Sequence, residues 1–544
     1  MLFSLVIILL KAYIFALINN HEKFIFFLLL INFTFYNSQA PSVQWNKYIG
    51  GSQQEAVNAM KITNDGGYIF AGSTQSVYID NIFMNHQGST TRPDYWILKT
   101  DSNGTIQWTK SFGGTNEDRA YDVQQTPDGG YILVGVSLSN DGDVTDHKGI
   151  AGSADCWVIK LDSLGNLQWK KSFGGTFSDY ANTVILTADG NYVIAGSSYS
   201  NNGDVNGHHG SQSTIDSWMI KINPLGNVLW SKSLGGTSDD MFKDLKQTPD
   251  GGYILAADSW SNDGDIVNGH HGTTYFSNMW IVKTDANGDI QWQKSLGGSN
   301  DEISNSVELT PDGGFIFAGE GNSGDGDVSF HFGPTAPFPS PDYWVVKTDG
   351  FGNIQWEKSF GGTNSDMAMS AKSTSDGGYL IAGHTGSTDG QIVERFGANF
   401  NYDYWTLKLN GSGDIIWQKT LGGQHDDYIT DIYSINNGYV AVGRSSSNSQ
   451  NTFDLLLYQL GTESLGVDNF TAKNAISLYP NPVKDIFYFS EQLMEIELYS
   501  LDGKLIIKIP SAKSIDLPFL SHGEYLLKGI TQKQKSFVKK FLKN

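Results

Sequence analysis

The strongest constraint on this chain is a sequence repeat of about 62 residues. Seven tryptophans recur at separations of 63, 61, 61, 62, 64 and 61 residues, and each stands shortly before a Gly-Gly pair: Trp45, Trp108, Trp169, Trp230, Trp292, Trp356 and Trp417. A period of this length, sustained over most of the 544 residues, indicates that each unit is one supersecondary motif and that the units stack on one another.

Each unit contains four short strand signals, labelled A to D in chain order. In the second unit an alternating run is followed by the turn Asp128-Gly129-Gly130, the run 131–135, a long polar loop, the run 155–160, a second Gly turn and the Trp run. No segment has helical spacing. Four antiparallel strands repeated seven times predict an all-β fold, a seven-bladed β-propeller spanning residues 41–465.

The register of the repeat predicts how the ring closes. The last unit ends at Leu460 without a strand D, whereas the first recognisable run, residues 43–48, is a strand D without its own A, B and C strands. We therefore expect the N-terminal strand to complete the seventh blade. An open solenoid, the alternative, would need capping repeats instead.

The composition changes near residue 466. Residues 467–544 hold 11 lysines and 8 acidic residues, whereas the whole chain has a net charge of −21. Short alternating runs separated by turns, such as 497–501 before Asp502-Gly503, are strand and hairpin signals. Residues 466–544 are thus predicted to form a separate small β-sandwich.

This segment also carries a specific resemblance. The runs Leu478-Tyr479-Pro480-Asn481-Pro482, 498–504, 520–525 and a basic tail appear in the order found in the type A C-terminal sorting domain of the type IX secretion system, which the segment resembles. The positions that carry the resemblance are Pro480, Asn481, Pro482, Asp502, Gly503, Lys504, Gly523 and Tyr525. The resemblance implies a member of the Bacteroidota, contact with the type IX secretion machinery, removal of the domain, and a secreted or outer-surface protein. An ordinary adhesive sandwich is the alternative.

The propeller units carry a second resemblance. Units that read Asp-Gly-Gly-Tyr, Asp-Gly-Asp-Val and Asp-Tyr-Trp-Val-Val-Lys resemble the propeller repeats of Bacteroidota surface proteins bearing this sorting domain. That family is defined by architecture rather than by one activity, so the resemblance implies no particular ligand.

The N-terminal 40 residues have the pattern of a secretory signal peptide. Two apolar runs, 2–18 and 24–36, lead into Ser38-Gln39-Ala40, which has small residues where a signal peptidase prefers them. We expect cleavage near Ala40. Because 40 residues is long for such a segment, either translation starts downstream of Met1 or the first run is a membrane segment.

Composition excludes several function classes. The acidic net charge argues against nucleic acid as a partner. Cys156 is the single cysteine, so no intrachain disulfide forms and the fold depends on packing. We expect a monomer that acts outside the cell.

One acidic residue follows each Gly-Gly pair by four positions: Glu55, Asp118, Asp179, Asp240, Glu302, Asp366 and Asp427. These carboxylates could form a ring that holds a cation at one end of the channel. The preferred interpretation is that each one caps the backbone N–H groups of its own Gly-rich turn, because all seven repeats carry it.

The B-to-C loops contain Asp-Gly-Asp motifs that resemble oxygen-rich calcium loops, although the spacing of an EF-hand is absent. The candidate calcium ligands are Asp141, Asp143, Asp204, Asp263, Asp265, Asp325 and Asp327, with Asn202 completing the second motif. A histidine follows each motif at His147, His208, His270 and His331. Calcium is the candidate cofactor, zinc held by the histidines is a weaker alternative, and bracing of the loop by these side chains is the third interpretation.

The ligand is expected on the face that carries the long loops. Shortly after strand B the aligned positions hold Leu138, Tyr199 and Trp260 on three consecutive units, which could form an apolar patch unless each packs under its own loop. The chain has no Gly-x-Ser-x-Gly, phosphate-loop or His-Glu-x-x-His motif. The sequence therefore predicts a binding protein for a glycan or protein ligand. A glycosidase or lyase using carboxylates on the loop face is the alternative.

Overall fold

A computed structural model describes most of the chain after the N-terminal segment. The described residues are 40–89, 91–267, 270–273, 275–334, 340–397, 401–448, 452–463, 478–479, 483–500, 504–531 and 536–543. The predicted signal peptide, apart from Ala40, lies outside them, and so does the predicted domain boundary near residue 466. Among the residues described, no helix is long and apolar enough to cross a membrane.

Seven four-stranded antiparallel sheets form the seven predicted blades. Strands A to D of blade 1 are Glu55–Ile62, Tyr68–Thr74, Asp94–Thr100 and Ile106–Phe112. Those of blade 2 are Asp118–Gln125, Tyr131–Ser137, Asp155–Leu161 and Leu167–Phe173. Those of blade 3 are Asp179–Leu186, Tyr192–Ser198, Asp216–Ile222 and Val228–Leu234. Strands A to D of blade 4 are Asp240–Gln247, Tyr253–Ser259, Asn278–Thr284 and Ile290–Leu296. Those of blade 5 are Glu302–Leu309, Phe315–Gly321, Asp342–Thr348 and Ile354–Phe360. Blade 6 has Asp366–Ser373, Tyr379–Thr385, Asp403–Leu409 and Ile415–Leu421.

Blade 7 is closed by the N-terminal strand, as the register predicts. Its strands A to C are Asp427–Ile435, Gly438–Ser445 and Asp454–Leu460, and Val43–Ile49 pairs antiparallel with the last of these as strand D. Two further hydrogen bonds join blade 7 to blade 1: the Thr430 hydroxyl donates to the Val57 carbonyl at 2.9 Å, and the Tyr433 hydroxyl donates to the Met60 carbonyl at 2.7 Å. The seven-bladed propeller is confirmed.

Strand A of every blade contacts strand A of both neighbours, so the A strands line a central channel and the D strands lie outermost. Strands B and C are buried along nearly their whole length, and the strand-C tryptophans, including Trp157 and Trp344, are less than 2% exposed. These tryptophans are therefore packing residues of the blades. In each blade the B-to-C loop and the D-to-A connections share one end, here called the loop face. The A-to-B and C-to-D turns share the other, here called the turn face.

In blades 1 to 6 the aspartate of the A-to-B turn is tied to a strand-C lysine. In blade 2 the Asp128 carboxylate accepts hydrogen bonds from the Thr126 hydroxyl, the Gly130 N–H and the Lys160 ammonium, whose Nζ lies 2.9 Å from Oδ2. Equivalent ion pairs join Lys99 to Asp65, Lys221 to Asp189, Lys283 to Asp250, Lys347 to Asp312 and Lys408 to Asp376. Since the lysines are almost fully buried, each pair supplies the partner that a buried cation requires.

The C-terminal segment forms a β domain with its own hydrophobic core. Its strands are Leu478–Tyr479, Ile486–Ser500, Leu505–Ile509, Ala512–Asp516, Gly523–Thr531 and Ser536–Lys543. The long second strand pairs with four of the others, and buried side chains such as Phe487, Leu498, Leu527 and Phe541 fill the interior. The predicted all-β C-terminal domain is confirmed.

Candidate functional site

The seven acidic residues that begin the A strands hold the D-to-A turns. Each accepts the backbone N–H of the second glycine of its own Gly-Gly pair, with donor–acceptor distances of 2.7–2.9 Å in all seven blades. In blade 2, for example, the Gly114 N–H donates to Asp118 Oδ2, which also accepts the Ser139 hydroxyl. These hydrogen bonds agree with the interpretation that each carboxylate caps backbone N–H groups of its own Gly-rich turn.

The Asp-Gly-Asp motifs brace the same turns from the B-to-C loop. The first aspartate accepts a backbone N–H just after the Gly-Gly pair: Asp141 from Thr115 at 2.7 Å, Asp263 from Thr237 at 2.7 Å and Asp325 from Ser299 at 2.8 Å. The second aspartate accepts the N–H of the first glycine: Asp143 from Gly113, Asp204 from Gly174, Asp265 from Gly235 and Asp327 from Gly297, at 3.1–3.3 Å. All seven candidate calcium ligands therefore have backbone donors.

A neutral side chain can replace the second aspartate. In blade 6 Gln391 stands in its place, and Gln391 Oε1 accepts the Gly361 N–H at 3.3 Å. Over the described residues no group of three His, Cys, Asp or Glu side chains is placed to hold a metal ion. Calcium binding by these loops stays a prediction, and the hydrogen bonds favour the bracing interpretation.

The loop histidines lie against the acid that begins strand C. His147 Nδ1 is 3.1 Å from Asp155 Oδ2, His208 Nδ1 is 3.6 Å from Asp216 Oδ2, and His331 Nε2 is 3.6 Å from Asp342 Oδ2. His86, which was not among the predicted residues, makes the same contact with Asp94 at 3.1 Å. Blade 1 lacks the Asp-Gly-Asp motif that precedes the other loop histidines. His86 could have been found only from its spacing, because it stands two residues before a glycine as they do. In blade 4 strand C begins with Asn278 instead of an acid.

The three patch residues occupy equivalent places on adjacent blades. The backbone N–H groups of Leu138, Tyr199 and Trp260 each donate, at 2.9 Å, to the carbonyl of the residue that precedes their blade's strand A. All three side chains are partly exposed. Burial raises the pKa of the Tyr199 hydroxyl, and Asp239 of blade 4 adds to that shift. The structure therefore places an arc of apolar side chains at the mouth of the channel on the loop face.

One position of strand B, two residues before the position of the arc, carries ionisable side chains in blades 4 to 7. In four consecutive blades it holds Asp258, Glu320, His384 and Arg444, whereas blades 1 to 3 have Ser73, Val136 and Ser197. The sequence analysis missed this series, although the aligned repeats contain it.

Asp258 and Glu320 differ in their partners. Asp258 is 1% exposed, accepts the Ser304 N–H at 2.7 Å, and lies 3.1 Å from Lys243 Nζ. Glu320 is partly exposed. Burial and the charge of Asp258 raise the pKa of Glu320 to about 7. Burial also raises the pKa of Asp258, and the charge of Lys243 opposes that shift. Glu320 and Asp258 are thus two neighbouring carboxyl groups whose environment favours binding of a proton.

Deeper in the channel, ion pairs join side chains of the A strands. Lys61 pairs with Asp122 at 3.1 Å, Lys246 with Asp244 at 2.7 Å and Lys372 with Asp431 at 3.1 Å. Asp122 also accepts the Val184 N–H of the next blade. Two of these pairs, Lys61–Asp122 and Lys372–Asp431, join neighbouring blades, whereas Lys246 and Asp244 belong to the same strand.

Three of the sorting-domain positions are described. The Lys504 carbonyl accepts the Ser500 N–H at 3.0 Å, Gly523 pairs with Lys543, and the Tyr525 hydroxyl donates to the Ser521 carbonyl at 2.9 Å. Tyr525 is buried and stacks on Phe541. Pro480, Asn481, Pro482, Asp502 and Gly503 lie outside the described residues.

Comparisons with known proteins agree with this division of the chain. Residues 477–544 match the model of the secretion system C-terminal sorting domain. Two curated proteins are similar in sequence: the regulatory protein FlaEY of Caulobacter vibrioides, 27% identical over 186 residues, and the WD repeat-containing protein L264 of Acanthamoeba polyphaga mimivirus, 23% identical over 176 residues. The matches cover 32% and 26% of this chain but only 19% and 12% of those proteins. The chain therefore spans less than a fifth of the length of either relative.

Solved structures that are similar to this chain include the WD40 domain of Pan2 from Neurospora crassa and Sqt1 from Chaetomium thermophilum. The first is 11% identical with a TM-score of 0.43, covering 78% of this chain and 100% of that one. The second is 12% identical with a TM-score of 0.36, covering 78% and 87%. With the sheet topology and the sorting domain together, the chain is a β-propeller repeat protein that carries a type IX secretion C-terminal sorting domain and is secreted or located at the cell surface.

Proposed function

We propose that the propeller binds an extracellular glycan or protein ligand on its loop face, around the mouth of the central channel. The observation that carries this proposal is where the repeats differ. The turn glycines, the strand-A acids and the strand-C tryptophans recur from blade to blade because they hold the scaffold together. The position just after strand B instead varies between blades. It holds Leu138, Tyr199 and Trp260 on three adjacent blades, where these side chains are partly exposed. Apolar side chains grouped on a surface are typical of a binding site.

The test is binding by variants of the arc. Tyr199→Ala and Trp260→Ala should each weaken binding to a ligand found on a glycan array by about 1–3 kcal/mol, as truncation of an interfacial aromatic side chain does. The melting temperature should stay nearly unchanged. Leu225→Ala is the matched control, since Leu225 is 69% exposed at a C-to-D turn of blade 3 on the turn face. If both aromatic variants melt much earlier yet bind normally once folded, the side chains pack their own loops and the proposal is wrong.

A carbohydrate-active enzyme is the second candidate, and one observation favours it. Glu320, whose pKa is raised to about 7, lies close enough to Asp258 to feel its charge, and Asp258 pairs with Lys243. Such a pair combines a proton donor with a carboxylate, which is the pairing that glycosidases use. Release of reducing ends from a polysaccharide by the purified protein, lost in Glu320→Gln, would decide for the enzyme. Binding without release in the same assay would decide for the binding protein.

A further inference from the structure

Arg444 stands apart from the other arginines of the chain. The chain has four. Arg119 pairs with Glu117, Arg395 lies 3.6 Å from Asp403, and Arg92 donates to the Asn116 side-chain oxygen at 2.7 Å. Arg444 is partly buried at the channel mouth, and no acidic oxygen of the described residues lies within ion-pair distance of it. A guanidinium has five N–H donors and stays charged, so a partly buried one without an anion is unusual.

Two aromatic rings fix the plane of this guanidinium. The Arg444 Cζ atom lies 4.9 Å from the centroid of the Tyr428 ring and 5.1 Å from that of Phe453. Stacking of this kind attracts the cation to the ring faces and leaves its N–H edge open to an acceptor. Arg444 is therefore pre-oriented for a ligand rather than engaged with the scaffold.

The aromatic cluster continues onto blade 6. The His384 ring lies 5.0 Å from the Tyr428 ring and 5.2 Å from the Tyr402 ring, and the two tyrosine rings are 5.3 Å apart. His384 is 7% exposed, and its Nδ1 atom has no hydrogen-bond partner among the described residues. Burial and the charge of Arg444 lower the pKa of His384 to about 3. The imidazole is neutral at physiological pH, which leaves Arg444 as the charged group of the cluster.

Blades 6 and 7 depart from the repeat at several positions that meet in this cluster. The residue before strand C is Tyr402 and Phe453 here, but Pro93, Ala154, Ile215, Ser277 and Pro341 in blades 1 to 5. In blade 6 the position of Trp260 is taken by Gly386, where an added Cβ would lie 3.3 Å from Tyr402 Cε1. The small residue therefore makes room for the tyrosine ring. Substitutions that meet in space indicate a local specialisation rather than drift of single positions.

We propose that this cluster, His384, Tyr402, Tyr428, Arg444 and Phe453, binds a sugar ring that carries an oxyanion, either a uronate carboxylate or a sulfate ester. The guanidinium edge donates to the oxyanion, where a charge-assisted bidentate pair forms. The tyrosine faces pack against the apolar face of the ring, and their hydroxyls together with His384 meet its hydroxyl groups. The inference rests on the proposed function and narrows it to acidic glycans.

The test compares ligands that differ only in charge. Trigalacturonate and its methyl ester share the sugar rings, so calorimetric titration of the full protein with both measures the carboxylate alone. A sulfated galactan oligomer and its desulfated form distinguish the second oxyanion, and an acidic peptide of equal charge tests for a protein ligand. We expect the wild type to bind an acidic sugar at least about tenfold more tightly than its neutral counterpart, as a charge-assisted pair provides.

Variants of Arg444 locate the effect. Arg444→Met keeps the apolar stem and should lose at least about tenfold in affinity for the acidic sugar. Arg444→Lys keeps the charge without the planar fork and should also bind more weakly. Arg92→Met is the matched control, because it removes one arginine from the loop face of blade 1 outside the cluster and should leave binding nearly unchanged.

Each alternative outcome has a clear meaning. Equal affinity for the acid and the ester, wild-type affinity of a folded Arg444→Met, or equal binding of the acidic peptide would overturn the inference. The first comparison needs no variant, so misfolding of a variant cannot leave the question open. Binding of a neutral glycan that depends on Trp260 would then uphold the proposed function without this inference. If no glycan and no protein binds, the proposed function fails as well.

Discussion

At the junction between blades, two buried carboxyl groups lie close to the same glycine. Asp342 begins strand C of blade 5 and Asp366 begins strand A of blade 6. A Cβ on Gly361 would lie 2.1 Å from Asp342 Oδ1 and 2.7 Å from Asp366 Oδ2, so glycine is required there. Both Oδ1 atoms are buried without a hydrogen-bond partner in the described structure. We infer that the pair retains a proton, which would supply a donor to one of these oxygens.

Electrostatics and one natural substitution support the shared proton. Burial, with the charge of Asp366 adding to it, raises the pKa of Asp342 to about 8, and burial raises that of Asp366 to about 6. In blade 4 Asn278 replaces the strand-C acid, and its Oδ1 accepts the His271 N–H at 2.6 Å, as Asp342 Oδ2 accepts the Phe332 N–H at 2.6 Å. The amide supplies a permanent N–H donor at the place that Asp342 occupies in blade 5.

The first prediction concerns Asp342→Asn. A carboxyl with a higher pKa in the folded than in the unfolded chain binds its proton only when folded between about pH 4 and pH 8. The free energy of unfolding therefore falls as the pH rises through that window. Asp342→Asn should remove this loss and raise the unfolding free energy at pH 8 by about 1–3 kcal/mol, measured by denaturant titration from pH 5 to 9. His331, 3.6 Å from the other Asp342 oxygen, is the second ionisable group at this carboxylate.

The reverse substitution in blade 4 provides the control. Asn278→Asp creates the missing carboxyl pair with Glu302 and should destabilise the protein at pH 8 more than at pH 5. Parallel stability curves for the two variants and the wild type would show that neither pair holds a proton.

The sequence predicted one member of each pair but not the pairing. The strand-A acids were visible because they follow every Gly-Gly pair, and their turn-capping role agrees with the hydrogen bonds. Asp342 stands 24 residues before Asp366 in another blade, so only the packing of blades brings the two together. Arg444 was missed for a related reason. Its candidate role in binding depends on the rings of Tyr428 and Phe453 beside it, and a repeat alignment does not show which side chains are neighbours in space.

At the scale of strands and turns, the strand-D tryptophan of one blade covers a turn glycine of the next. A Cβ on Gly352 would lie 2.6 Å from Trp292 Cζ3, and one on Gly413 would lie 2.9 Å from Trp356 Cζ3. The Trp356 Nε1–H also donates to the Gly411 carbonyl of the same turn. The tryptophan period, which predicted the architecture, thus has its cause in contacts between blades at the outer rim.

The second prediction compares two alanine substitutions. Gly352 and Gly313 have φ of +76° and +83°, so alanine strains the backbone at both, by about 1 kcal/mol. A Cβ at Gly313 meets no atom within 4 Å, whereas at Gly352 it overlaps Trp292. Gly352→Ala should therefore lower the unfolding free energy by about 1–3 kcal/mol more than Gly313→Ala. Equal losses in a denaturant titration would mean that the tryptophan moves aside without cost.

At the scale of the whole molecule, the ring is closed by pairing rather than by a covalent bond. The strand Val43–Ile49 is held in blade 7 by its ladder with Asp454–Leu460, while the outer strands of the other blades are continuous with the chain at both ends. Period and register were enough to predict this closure, because a missing strand D at one end and a surplus one at the other leave a single arrangement without an open edge.

The last prediction tests this closure with matched prolines. Lys47 and Lys294 each follow the strand-D tryptophan of their blade by two residues, and they pair with Leu457 and Ile281 of the adjacent strand C. Proline at either place removes a backbone donor from the centre of the strand. Lys294→Pro should cost about 1–3 kcal/mol, because the chain on both sides keeps that strand in place. Lys47→Pro should cost several kcal/mol more, a large part of a typical domain stability of about 5–15 kcal/mol, since the terminal strand can leave and expose the edge of blade 7. Denaturant titration measures both losses, and limited proteolysis near residue 47 reports release of the strand. Equal losses with an intact N-terminus would contradict a ring whose stability depends on this strand.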